Sequence, residues 1–345
     1  MIRRALPLIL LILAGCRPDA ATAPAPMTLS AEQRAAQLAS FDRVWSAVKE
    51  NHYDPKMNGV DWDAVRVELR PKVEAAASEE EVRNILMAML ERLKLSHYAI
   101  AESGGEAGSS EAAVEYRSFV PPLARNSPEK IVQFGNVPPV PLRYHYERLP
   151  ENVGYFYFSI FLNPPTVMPA FNTALDDARS ADGFILDLRH NPGGIGIMAV
   201  GIGNAFVDKA DQKLGTMIQR SGELNFVLNP QAEPYTKPLA ILIDAHSGST
   251  SEILAGGLKD LGRARVFGIR SAGQALPSLI ETLPNGDRFQ FAVANYISTG
   301  GQTLEGNGVT PDEIVPYELP YDLPDPVVAA AVKWIQSQTS NKSTP

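Results

Sequence analysis

Cysteine is almost missing from this chain: of 345 residues only Cys16 carries a thiol, so no internal disulfide and no CxxC pair can form. No HExxH occurs, and the five histidines, His52, His97, His145, His190 and His246, are scattered, so a metal centre would have to be assembled from distant segments. Neither GxGxxG nor a P-loop is present, which removes the familiar phosphate cradles. Positive charge is also short: 31 Lys and Arg stand against 39 Asp and Glu, for a formal net charge of -8, and no basic stripe marks a nucleic-acid partner. What these absences leave is chemistry done without a cofactor, by hydroxyl, imidazole and carboxylate side chains.

The apolar run Ala5–Ala14 follows Arg3 and Arg4, is too short to span a bilayer, and reads as part of a secretion signal. Leu13-Ala14-Gly15-Cys16 resembles a bacterial lipobox, which implies that residues 1–15 are a lipoprotein signal peptide and that Cys16 becomes the lipid-modified first residue. Residues 16–29, rich in Ala and Pro, then form a tether. Arg17 in place of an acidic residue leans, by analogy with lipoprotein sorting, towards the outer membrane. The location expected is the bacterial cell envelope, on the periplasmic face, with a lipid anchor as the membrane contact.

The remaining chain has ordinary globular composition, 45% hydrophobic and 20% charged. Residues 30–100 read as a helical subdomain. Ser30 with Gln33 and Ser78 with Glu81 are spaced as capping boxes, and Phe41, Val44, Trp45 and Val48 share one helical face. A second helix carries Trp62, Val65 and Leu69, a third Val82, Leu86, Met89 and Leu93, and the helical region ends in Leu95-Ser96-His97-Tyr98. Residues 101–144 read as a linker with short strands: 102–115 is small and polar like a mobile loop, and Lys130–Phe134 and Arg143–Tyr146 are strand-like. From 145 to 345 strands and helices alternate, so the fold class is α/β with a mainly parallel sheet. The expected strands are Val153–Phe161, Phe184–Leu188, Leu239–Ile243 and Arg265–Gly268, with a hairpin Leu279–Leu283/Phe289–Tyr296 and a closing helix Pro326–Gln336.

Two turns fall at the carboxyl edge of that sheet, where ligands of such folds bind. In one, the run Leu239–Ile243 stops at Ser247-Gly248-Ser249-Thr250-Ser251, and a helical pattern follows. A serine there sits beside free N–H groups at a helix N-terminus, a setting that suits a nucleophile; the same serines are also ordinary N-cap residues, and this segment alone does not separate the two. In the other, Asp187-Leu188-Arg189-His190-Asn191-Pro192-Gly193-Gly194, paired glycines expose backbone N–H groups as an oxyanion hole requires, and Asp187 with Arg189 is suited to brace the turn. A tight turn without catalytic meaning is the competing reading. The candidate oxyanion donors are Gly193, Gly194 and Thr250.

Taken in order with Gly306-Asn307-Gly308-Val309-Thr310-Pro311-Asp312, these two motifs resemble those of the tail-specific, or C-terminal-processing, serine peptidase family. The likeness spans about residues 30–100 and 145–336 and implies a crotonase-like α/β core behind a helical N-terminal subdomain. It places the family's nucleophile on Ser249. The position of the lysine base in the tail-specific branch is Gln274 here, and an amide cannot take a proton at neutral pH. The branch of the tricorn core protease and the retinoid-binding proteins uses instead a histidine preceded by serine, with a distant glutamate, which Ser96, His97 and Glu305 match. Residues 101–144 are too few for the PDZ domain with which many relatives capture a substrate's C-terminus by strand addition.

The resemblance implies a serine peptidase acting on peptides or proteins through an acyl-enzyme. The alternative is a non-catalytic protein binding hydrophobic ligands or peptides on the same scaffold, since fold does not dictate function. An α/β-hydrolase esterase fits less well, because Ser251 stands where the last glycine of Gly-x-Ser-x-Gly would be.

Overall fold

The computed structural model describes residues 29–102, 120–133, 139–317 and 323–340. The signal, nearly all of the tether with Cys16, and residues 103–115 of the polar stretch lie outside the described residues.

Three helices come first: α1 (Ala31–Asn51), α2 (Trp62–Ala75) and α3 (Glu79–Glu91). The Ser30/Gln33 box closes on α1 in both directions, and Ser78 Oγ accepts the Glu81 N–H at the start of α3. After them come β1 (Ala99–Ala101), β2 (Glu129–Val132), β3 (Val140–Arg148), β4 (Val153–Phe158), α4 (Pro164–Ala178), β5 (Gly183–Asp187) and α5 (Ile197–Gly203). The chain continues through β6 (Gln212–Gln219), β7 (Gly222–Leu228), β8 (Leu239–Ile243), α6 (Thr250–Asp260) and β9 (Arg265–Gly268). It ends with β10 (Ser278–Thr282), β11 (Arg288–Ala292), β12 (Ala294–Ser298), β13 (Glu313–Ile314) and α7 (Pro326–Ser340).

The main sheet runs β13-β9-β8-β5-β4-β3-β2, parallel from β13 to β4, with β3 and β2 antiparallel at one edge. Strands β4, β5 and β8 are buried along their whole length because both faces are covered, which is why they read as unbroken aliphatic and aromatic runs. Successive residues serve opposite cores. Phe184, Leu186, Leu239, Ile241 and Ile243 pack with α4, α5 and α6, whereas Ile185, Ala240 and Leu242 pack with Val327, Ala331 and Ile335 of α7. Full burial of each large side chain contributes about 1.5–3 kcal/mol.

A further core holds the helical region to the rest of the molecule. Phe41, Val44, Leu69, Leu86 and Met89 from α1–α3 pack against Leu283, Phe289 and Phe291 around the β10–β11 hairpin. That hairpin differs from the expected Leu279–Leu283/Phe289–Tyr296. It ends at Ala292, and after Val293 the chain crosses into a second small sheet, where β12 pairs with β6. The aromatic-rich run Phe289–Tyr296 thus feeds two separate cores, a division its continuous apolar pattern conceals. Strand β4 likewise ends at Phe158, and Phe161 is used instead in a short bridge to Gly194.

Candidate active site

The turn between β8 and α6 is fastened through its hydroxyls. Ser247 Oγ accepts from Asp244 N and donates to Leu188 O, both at 2.8 Å, and Ser251 Oγ donates to Asn191 O at 2.8 Å. Gly248 N also donates to Asn191 O, at 3.1 Å, so the turn is tied to the one after β5. Ser249 lies between these anchors at φ 51° and ψ −115°, a combination that an L-residue adopts only when its surroundings impose it. Its conformation is far from the β-region geometry of an ordinary N-cap. Ser249 N donates to Gln274 O at 2.8 Å and to Glu252 Oε2 at 3.0 Å.

The glycine pair sits directly against this serine. A Cβ on Gly193, at φ 99°, would fall 2.7 Å from Ser249 Cβ and 2.7 Å from Thr250 N, so the close approach requires glycine. The structure corrects one expected role: Gly193 N–H donates to Asn191 Oδ1 at 3.0 Å and is therefore engaged within its own turn. The N–H groups of Gly194 and Thr250 have no protein acceptor among the described residues. Thr250 Oγ1 donates to Gly194 O at 2.9 Å, and Phe161 holds the glycine pair by donating to Gly193 O and accepting from Ile195 N. Thr250 is the first residue of α6, where the helix dipole adds positive potential.

His97 comes from the other side, beyond α3. Ser96 Oγ lies 2.8 Å from Glu305 Oε2 and 2.7 Å from His97 Nδ1, and Ser96 N donates to Glu305 Oε1 at 2.7 Å. A carboxylate only accepts, so the single hydroxyl proton of Ser96 goes to Glu305. Ser96 Oγ must then accept from His97 Nδ1–H, and this leaves Nε2 with its lone pair. Burial pushes the His97 pKa below the ordinary histidine value, with the charge of Glu305 pulling it back up.

No hydrogen bond joins His97 to Ser249 among the described residues; the segment Ser271–Leu276 connects them. Its Gln274 O accepts from Ser249 N, and its Ala275 N donates to Glu305 Oε2 at 3.1 Å. Contacts between nucleophile and base often tighten only when substrate binds. Gln274 has an exposed side chain and takes part through its main chain.

Two residues have larger structural roles than the sequence indicated, where Asn191-Pro192 only fixes the entry of its turn. Asn191 joins both turns and reaches Phe158 O through Nδ2 at 2.8 Å. Glu252, fully buried, accepts from Ser249 N, Gln274 N, Gly273 N and Ser271 Oγ. Burial raises its pKa, while these donors draw it back down. The Ser-x-x-Glu spacing of a capping box was its only signal. Asp187 and Arg189 do pair, as expected, and Asp325 at the start of α7 completes a buried clamp on the guanidinium, with Nη2 at 2.8 Å from Asp325 Oδ2. Among the described residues no three His, Cys, Asp or Glu side chains converge to hold a metal ion.

Comparison with known proteins bears on two stretches of the sequence and on the fold. Residues 152–315 match peptidase family S41, and residues 34–91 match the tricorn protease C1 domain. The carboxy-terminal-processing protease of Bartonella bacilliformis is 34% identical over 142 residues, which cover 40% of this chain and 32% of that protein. The chain thus spans about a third of that relative's length. Among solved structures, the photosystem II D1 C-terminal processing protease superposes with a TM-score of 0.56 at 18% identity, covering 88% of this chain and 97% of that one. The tricorn protease superposes at 0.54 and 15% identity, covering 89% of this chain and 37% of that one. At such identities the structural likeness speaks for the fold, and the sequence matches speak for the family. Residues 152–315 are thus similar to peptidase family S41, and residues 34–91 to the tricorn protease C1 domain.

Proposed function

We propose that this protein is a serine peptidase that cleaves peptide bonds of peptides or proteins through an acyl-enzyme on Ser249. The observation that carries this reading is the Ser96–His97–Glu305 hydrogen-bonded chain, linked through residues 271–276 to a strained serine beside unpaired N–H groups. A binding protein on the same scaffold has no use for a histidine whose tautomer is set in this way.

Ser249 Oγ attacks the scissile carbonyl carbon while His97 Nε2 takes its proton. The carbonyl oxygen becomes an oxyanion facing the N–H groups of Gly194 and Thr250; one such donor is commonly worth about 10²–10³ in rate. Collapse of the tetrahedral species breaks the C–N bond, and His97 returns the proton to the leaving amine. Water then attacks the ester, again giving its proton to His97, and the carboxylate product leaves with Ser249 restored. Throughout, Ser96 and Glu305 hold the imidazole and stabilise its protonated form.

The test is turnover of a library of internally quenched peptides. Wild-type protein cleaves some members, and Ser249→Ala cleaves none while keeping the native circular dichroism spectrum, because a small-for-small exchange at this turn removes little packing. Undiminished turnover by the variant would put the nucleophile elsewhere.

The same proposal includes the envelope location. Cys16, acylated after removal of residues 1–15, anchors the chain, and residues 16–29 give the peptidase reach from the membrane. Cys16→Ser is expected to leave the membrane fraction or to retain its signal uncleaved. An unmodified Cys16 in the mass spectrum of the native protein would refute the anchor.

A further inference from the structure

We infer that Glu252 is a positioning residue that sets the nucleophile against its base, holding in one grip the strained backbone of Ser249 and the segment 271–275, which in turn binds Glu305. The inference rests on the reading of Ser249 as nucleophile.

Its two oxygens are divided between two tasks. Oε2 accepts from Ser249 N at 3.0 Å and from Gln274 N at 2.9 Å, while Oε1 accepts from Gly273 N at 2.8 Å and from Ser271 Oγ at 2.6 Å. A helix cap needs only the first of these contacts. The other three gather residues 271–274, a piece of chain that is neither helix nor strand and has no ladder of its own to fix it. The next N–H along, that of Ala275, donates to Glu305 Oε2. Glu305 in turn holds Ser96 by both main chain and hydroxyl, and Ser96 holds His97.

Nucleophile and base therefore lie at the two ends of one hydrogen-bonded path: Ser249 N, the Glu252 carboxylate, the main chain of 273–275, the Glu305 carboxylate, Ser96 Oγ and His97 Nδ1. Gln274 O closes the near end by accepting from Ser249 N at 2.8 Å. Ser271 Oγ adds a brace, since it also accepts from Val309 N at 2.6 Å. Glu252 is completely buried and takes no part in proton transfer; its negative charge and four filled acceptor sites make it a fixed post. This arrangement answers a problem specific to the fold: the base rides on a helical region remote in sequence, and something must fix its distance from the serine.

The decisive variant is Glu252→Gln in the full chain, which keeps length and shape but turns an NH₂ towards one pair of donors. Because a small misplacement of reacting groups costs about 10²-fold, kcat is expected to fall by that order with KM within about twofold. The second-order rate of fluorophosphonate labelling at Ser249 should fall in parallel, at unchanged folded fraction, and the His97 limb of the pH profile should stay where it was. A purely structural role would lower the melting temperature while leaving kcat per folded molecule and the labelling rate at wild-type values, and that result overturns the inference. If Glu252→Gln does not fold, Ser271→Ala removes one contact to Oε1 and leaves Oε2 intact. It is expected to slow labelling by about tenfold, the worth of one charge-assisted hydrogen bond, and wild-type labelling in that variant overturns the inference as well. Ser249→Ala separates the two levels: an active Ser249→Ala defeats the peptidase reading itself, whereas an inactive Ser249→Ala beside a fully active Glu252→Gln defeats only the role given to Glu252.

Discussion

The proposal that His97 is the base rests on a proton count. Ser96 has one hydroxyl hydrogen and two neighbours, and since Glu305 can only accept, the imidazole must donate from Nδ1 and keep the lone pair of Nε2. Activity requires His97 neutral, so kcat/KM rises with pH as the ring loses its proton. Because burial lowers its pKa, the acidic limb is expected below the ordinary value of 6.5. Rate profiles of wild type and His97→Gln check this: the variant should lose the limb together with about 10²–10⁴ of the rate. A limb that survives in His97→Gln would move the base to another group. Gln274→Ala should slow turnover far less than His97→Ala, because the Gln274 side chain is exposed and only its main chain touches Ser249 and Glu252. Equal losses in the two folded variants would contradict that. At this scale the sequence motifs named Ser96, His97 and Glu305, which the structure joins by hydrogen bonds, and Ser249, which it holds apart from them. The full roles of Glu252 and Asn191 were not legible, because they depend on which donors and acceptors lie across the fold, and spacing along the chain does not encode that.

At the scale of elements, the aliphatic run Leu239–Ile243 and the capping boxes of the helices were readable because their causes are local: burial on both faces and satisfaction of terminal N–H groups. The split of Phe289–Tyr296 into β11 and β12 was not, since both halves are apolar and only their distant partners differ. The loss of Gly193 as an oxyanion donor has the same origin, an Asn191 side chain whose direction is set by the turn as a whole. Gly193 remains the least replaceable residue of that turn. A Cβ there would lie 2.7 Å from Ser249 Cβ and 2.8 Å from Gly248 O, on a backbone at φ 99°. Gly193→Ala is expected to destabilise the protein by about 1–3 kcal/mol in urea titration and to cut kcat by about 10²-fold in the folded fraction. Wild-type kcat in this variant would mean that the two turns can part without consequence.

Across the whole molecule, buried and half-buried polar contacts join elements that belong to three apolar cores. Arg189 is fully buried and gripped by Asp187 at the end of β5 and by Asp325, whose Oδ1 also caps α7 by accepting from Val327 N and Val328 N. Asp325→Ala leaves Arg189 paired with Asp187 but strips the guanidinium of two hydrogen bonds and α7 of its cap, so it is expected to cost about 1–3 kcal/mol of unfolding free energy. A loss near zero would show the clamp to be idle. The helical region is held by Phe289 and Phe291 inside its core and by Ser96 on Glu305 at its edge, and through residues 271–276 this ties the segment of His97 to the turn of Ser249. The proposed peptidase activity requires that Ser249 be a nucleophile. The measurement that tests it most directly is mass spectrometry of the intact protein after treatment with a fluorophosphonate, followed by peptide mapping. The account predicts a single adduct on Ser249, absent from Ser249→Ala and formed far more slowly by His97→Gln; an adduct on another residue, or equal labelling of wild type and Ser249→Ala, would contradict it.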